Sequence, residues 1–72
     1  SEFLRLVATE IKLARYRHHL SQAGLAKLAK TSQSEISLLE LAKSNPTVEL
    51  LERVATSLDL TITASIKSIT TH

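Results

Sequence analysis

"SQAGLAKLAKTSQSEISLLE", residues 21–40, decides how this chain folds. Its apolar side chains fall in two groups with the polar break "KTS" between them: Leu25, Ala26, Leu28 and Ala29, expected as the buried side of a first helix, then Ile36 and Leu39. Each group is preceded by a serine. Ser21 is a good N-cap for a short helix over about 22–29, because its oxygen accepts from a first-turn amide that has no partner inside the helix. Ser32 caps the next helix, and Glu35 three residues on completes "SQSE", the pattern of a capping box. That helix is expected to run to about 41, with Ile36 and Leu39 inward.

Outward from this stretch the helical spacing continues on both sides. Leu4, Val7, Ile11 and Ala14 recur every three or four residues, which predicts a helix over 3–17 ended by "HHLS". Downstream, "KSNP" is a loop, and Pro46 or Thr47 starts a helix to about 58 with Val48, Leu51, Ala55 and Leu58 as its core stripe. The tail changes period. Leu60, Ile62, Ala64 and Ile66 alternate with Thr61, Thr63, Ser65 and Lys67, the spacing of a strand. No Gly- or Asn-based turn lets it fold back on itself. Its backbone groups need partners, and the same strand of a second chain, antiparallel about a two-fold axis, supplies them. A frayed tail is the alternative.

Composition narrows the function classes. Seventy-two residues make one small domain, and without cysteine it has neither disulfides nor a thiolate metal site. No apolar run approaches the ~18 residues of a membrane span, and no signal peptide opens the chain, so a cytoplasmic location is expected. The chain starts on serine and holds no methionine, as expected of a processed or truncated piece. A net charge of +2 permits nucleic acid without demanding it. With one Phe, one Tyr and no Trp, stacking on single strands is not the expected mode. The adjacent His18 and His19 diverge by about 100° on a helix, so no metal is expected there and solvation of the helix end is the better reading. No glycine-rich phosphate loop or nucleophile–base set is present, so no enzymatic activity and no cofactor is expected.

Two short helices joined by a tight turn, the second with a polar outer face, describe a helix-turn-helix. Ala26 is small enough for the helices to cross closely. With Ile36 and Leu39 inward, Gln33, Ser34, Ser37, Leu38 and Leu41 point outward. An amide and hydroxyls at a helix start suit the major groove, where Gln pairs bidentately with adenine and Ser is permissive. Glu35 is expected to serve the cap rather than accept from a cytosine, because it also repels phosphate.

The run "LSQAGLAKLAKTSQSEISLLELAKSNPTVELLERVATSLDL" resembles the Cro/C1-type, or XRE-type, helix-turn-helix regulators over residues 11–60, and with its tail it looks most like antitoxins of the HigA and HipB kind. The resemblance implies an all-α, lambda-repressor-like bundle of four to five short helices. Residues 1–60 would form the DNA-binding domain, and residues 61–72 a C-terminal strand and tail that pair across a homodimer. It implies base reading by Gln33, Ser34, Ser37 and Leu38. Phosphate binding would fall to Gln22, Thr31, Ser32, Lys43, Ser44 and Asn45. Arg15 and Glu40 match a family pair bridging the first helix to the recognition helix. The implied partners are double-stranded DNA with a palindromic operator, a second copy paired through Leu60, Ile62, Ala64 and Ile66, and a cognate toxin protein. The implied function is a repressor and antitoxin that regulates its own operon. The alternative is a module that neutralises a partner protein without binding DNA, a reading that the exposed Leu38 and Leu41 favour. Where the family usually carries glycine, this chain has His19, Lys30 and Ala42, so these turns are either not left-handed or mildly strained.

Overall fold

The computed structural model describes residues 1–63 and 68–69, and holds four helices among them: α1 (Glu2–Arg17), α2 (Gln22–Leu28), α3 (Gln33–Glu40) and α4 (Val48–Ser57). Each begins at a hydroxyl. The oxygens of Ser1, Ser21, Ser32 and Thr47 accept from the amides of Leu4, Gly24, Glu35 and Leu50 at 2.9–3.1 Å. Each such cap is worth about 1 kcal/mol. Ser21 and Ser32 cap as their sequence context predicts. The reciprocal half of the expected box is absent, because Glu35 returns no bond to the Ser32 amide among the described residues. Pro46 is not the first residue of α4 but precedes its cap, Thr47.

All four helices end alike. His19, Lys30, Ala42 and Asp59 stand at φ 55–58°, so the three turns where glycine is usual are left-handed after all. The amide of each reaches back three residues, to Tyr16, Lys27, Leu39 and Thr56, and the following amide reaches back five, to Arg15, Ala26, Leu38 and Ala55. This is the Schellman arrangement, which normally recruits glycine. A side chain in that conformation costs roughly 1–2 kcal/mol. The only glycine, Gly24, lies instead inside α2, where a Cβ would stand 3.2 Å from the capping Ser21 Oγ.

The core is aliphatic. Ile11 and Ala14 of α1, Leu25, Ala26 and Ala29 of the α2 segment, Ile36 and Leu39 of α3, and Leu50, Leu51, Val54 and Leu58 of the α4 segment form one cluster. Leu25, Ile36, Leu39, Val54 and Leu58 are fully buried. Each contributes about 1.5–3 kcal/mol by leaving water. Two expected core positions lie outside it. Val48 is 65% exposed because it is the first residue of α4, and the buried stripe runs instead through Leu50, Leu51, Val54 and Ala55. Leu28 is 56% exposed because α2 turns only Leu25 and Ala26 inward.

The expected strand is not formed over its described part. Residues 60–63 run without regular structure, and Ala64 and Ile66 lie outside the described residues. A strand exists by pairing, and a single chain offers this stretch no partner. Leu60 packs against the core, and its amide closes the end of α4. No fifth helix occurs among the described residues. None of the helices there is long and apolar enough to cross a membrane.

Candidate nucleic-acid interface

The helix pair α2 and α3 pack directly on one another, and α3 also rests on α1. Ile36 and Leu39 face the core, so the opposite side of α3 faces solvent. Gln33 and Ser34 are exposed in its first turn, Ser37 is half-buried one turn on, and Leu38 is exposed beside it. These four, with Gln22 of α2, line one open surface depression. Residues eleven or more apart in sequence, Gln22 and Gln33, thus share one face. The depression carries two amides, two hydroxyls and one apolar side chain, and no charge of its own.

Beneath this face lies an ionic brace. Arg15 of α1 donates from Nε to Glu40 Oε2 at 2.6 Å and from Nη2 to Glu40 Oε1 at 3.0 Å, a two-pronged contact. Its Nη1 donates to the Leu20 carbonyl at 2.9 Å. Gln22 Nε2 also donates to Glu40 Oε1, at 3.2 Å. The side chains of Arg15 and Glu40 are only 8% and 3% exposed. Burial pushes the Glu40 carboxyl up, but the hydrogen bonds from Arg15 and Gln22 outweigh it and hold the group below its ordinary value. The bond to Glu40 raises Arg15 further above an already high value. The guanidinium also lies over the Tyr16 ring, 4.7 Å from its centre. One carboxylate therefore ties α1, the start of α2 and the end of α3 together, and it holds the Gln22 amide at the edge of the depression.

The other expected contact residues are more scattered. Ser32 is exposed, with its hydroxyl engaged in the cap of α3, and Thr31 is half-buried with its amide bonded to the Ala26 carbonyl at 2.9 Å. After α3, Lys43 and Asn45 are exposed. The Ser44 hydroxyl between them is buried and has no hydrogen-bond partner among the described residues. Leu41 is exposed at the end of α3. His18 does not simply meet solvent: its Nε2 lies 3.0 Å from the Leu58 carbonyl, which fixes the proton on that nitrogen if the ring is neutral. Arg53 was no candidate from sequence, yet its Nε donates to the Ala29 carbonyl at 2.9 Å. Neither contact has a local signal, since the partners are 40 and 24 residues apart. Among the described residues no group of His, Asp and Glu is placed to hold a metal.

The helix-turn-helix family model matches residues 11–64, three quarters of the chain, and spans all of α2, α3 and α4. The chain belongs to the helix-turn-helix family, of the Cro/C1 type. No curated protein and no solved structure gives a significant match. As a member of this family it is a sequence-specific DNA-binding regulator of transcription.

Proposed function

We propose that this helix-turn-helix protein is a dimeric repressor that reads a palindromic operator through α3, and that it is the antitoxin of a type II toxin–antitoxin pair regulating its own operon. The single observation that carries the DNA reading is the shared depression of Gln22, Gln33, Ser34, Ser37 and Leu38 on the outer face of α2 and α3. In this reading Gln33 and Ser34 contact base edges from the first turn. Ser37 follows in the groove and Leu38 meets a thymine methyl. Gln22, Thr31 and Ser32 bind phosphate on one side, and Lys43, Ser44 and Asn45 on the other. These contacts set register rather than sequence. Ser44 takes part once the loop turns its hydroxyl outward.

The dimer of this reading pairs residues 60–66 of two chains. What supports it is the alternation of that stretch together with an apolar groove, about 310 Å³, lined by Phe3, Leu6 and Val7 of α1, Leu51 of α4, and Leu60 and Ile62. A paired tail covers the Leu51, Leu60 and Ile62 side of this groove on each protomer and leaves its Phe3 and Leu6 side open. Two-fold symmetry then sets the half-sites about 34 Å apart, or a multiple of it. The protein acts in the cytoplasm and has no enzymatic activity of its own. The toxin contact uses the first turns of α1, where Phe3 and Leu6 are exposed.

The test is competition binding. The dimer at moderate salt should prefer its own upstream region to unrelated duplex by about 10³ or more. Equal affinity for both sinks the DNA reading. The second reading, partner neutralisation without DNA, draws on exposed Leu38 and Leu41 on the α3 face. It takes over if a co-purified toxin is neutralised by protein that shows no site preference.

A further inference from the structure

We propose that Arg53 is a positioning residue for DNA reading: from α4 it holds the C-terminal end of α2 and so sets the angle at which α3 leaves the turn. The proposal rests on the DNA reading above.

The turn between α2 and α3 spans residues 29–32. Its first backbone groups are closed locally, with the Ala26 carbonyl accepting from the Thr31 amide at 2.9 Å and the Lys27 carbonyl from the Lys30 amide at 3.3 Å. The Ala29 carbonyl has no such partner among the described residues. It accepts from Arg53 Nε at 2.9 Å, and Ala29 itself is 1% exposed. Removing that donor leaves a buried acceptor short of its bond. The next residue, Lys30, is held at φ 58° with a side chain in place. A strained residue keeps such a conformation only where its surroundings over-determine it. The peptide joining Ala29 to Lys30 is thus clamped at its oxygen by a charged donor and followed by the least comfortable backbone of the turn. Gln33 and Ser34 stand three and four residues beyond Lys30, on a helix of eight residues that moves as one body when that peptide rotates.

Arg53 is not itself placed as a DNA contact. It lines a different depression, with Leu28, Lys30, Thr56 and the carboxylates of Glu49 and Glu52, which disfavour a phosphate there. Its effect on DNA therefore passes through the turn.

The experiment uses the full chain with Arg53→Met, which keeps the stem and removes the donors, and Arg53→Lys, which keeps the charge and a donor group but not the Nε position. Binding to the upstream duplex and to unrelated duplex is measured across a salt series. Amide exchange is measured without DNA. For Arg53→Met the specific-to-unrelated affinity ratio should fall about tenfold with the salt slope unchanged, and the Lys30 and Thr31 amides should exchange about tenfold faster while Ile11 does not. Arg53→Lys should lie between this and wild type, and it decides the matter if Arg53→Met does not fold. An unchanged ratio overturns the proposal, and so does unchanged exchange at Lys30 and Thr31. A loss shared equally by both duplexes with a shallower salt slope also overturns it, since that marks a phosphate contact. Wild type without site preference sinks the DNA reading and the positioning role together. Faster exchange would then leave Arg53 as a structural brace alone.

Discussion

Replacing Glu40 by Gln should be among the most damaging isosteric changes in this chain. The carboxylate accepts from Arg15 Nε, Arg15 Nη2 and Gln22 Nε2, and the Arg15 side chain it neutralises is 8% exposed. After the change a buried guanidinium faces an amide that returns one acceptor and no charge. Breaking a buried pair from one side costs about 3–5 kcal/mol. A chain of 72 residues has a total stability of roughly 4–11 kcal/mol at the usual 0.05–0.15 per residue, so the loss takes a large share of it. The double replacement Arg15→Met with Glu40→Leu removes both charges and should be neutral or stabilising by about 1–4 kcal/mol. Urea unfolding followed by circular dichroism measures the stability of both variants against wild type. A Glu40→Gln cost below about 1 kcal/mol, the range of an exposed pair, would refute the claim that the brace is buried and sustained by its partner.

The brace also dictates a pH response. The Glu40 carboxyl is lower in the folded chain than its ordinary ~4.3, so its contribution is fully present above that value and is lost as pH falls from there through the lowered folded value. Arg15, raised from an already high value, stays charged in both states and adds nothing in this window. Urea midpoints taken from pH 7 to 3 should therefore drop more steeply below about pH 4.3 in wild type than in Glu40→Gln, and equal slopes would contradict the assignment. Lys30→Gly and Ala42→Gly should each stabilise by roughly 0.5–1 kcal/mol, the relief of a left-handed side chain less the added freedom of the unfolded chain, and a lower melting midpoint in either would count against the strained turns. Leu38 and Leu39 are adjacent but opposite in role. Leu39→Ala should cost about 2–5 kcal/mol while Leu38→Ala stays within about 0.5, and thermal unfolding of the two variants separates them.

What could be read in advance was whatever a few neighbouring residues decide. Ser21 and Ser32 signal their helix starts because a cap is a contact over three residues. Ile36 and Leu39 signal the inner face of α3 because Gln33, Ser34 and Ser37 mark the opposite one, where Leu38 is the apolar exception. Leu28 and Val48 did not reveal their exposure, since in a helix of seven residues, or at the first residue of one, the neighbouring helices choose which apolar side chains are covered. The left-handed turns at Lys30 and Ala42 were hidden for another reason: glycine advertises that backbone, whereas lysine and alanine adopt it under tertiary constraint without advertising it. The contacts of His18 with Leu58 and of Arg53 with Ala29 join distant segments, and no spacing in the chain encodes them. The tail's alternation asks for a second chain, and one chain cannot answer it. For the site, the family resemblance supplied the positions, and the helix pair then gathers Gln22, Gln33, Ser34, Ser37 and Leu38 on one face.

The most direct test of the DNA-reading face is the affinity of wild type and Gln33→Ala for the upstream duplex and for unrelated duplex, across a salt series. Gln33→Ala should lose about 1–3 kcal/mol on the upstream duplex alone, with both proteins keeping the same linear dependence on log salt. An equal loss on both duplexes, or no loss on either, would contradict the assignment of α3's first turn as the base-reading element.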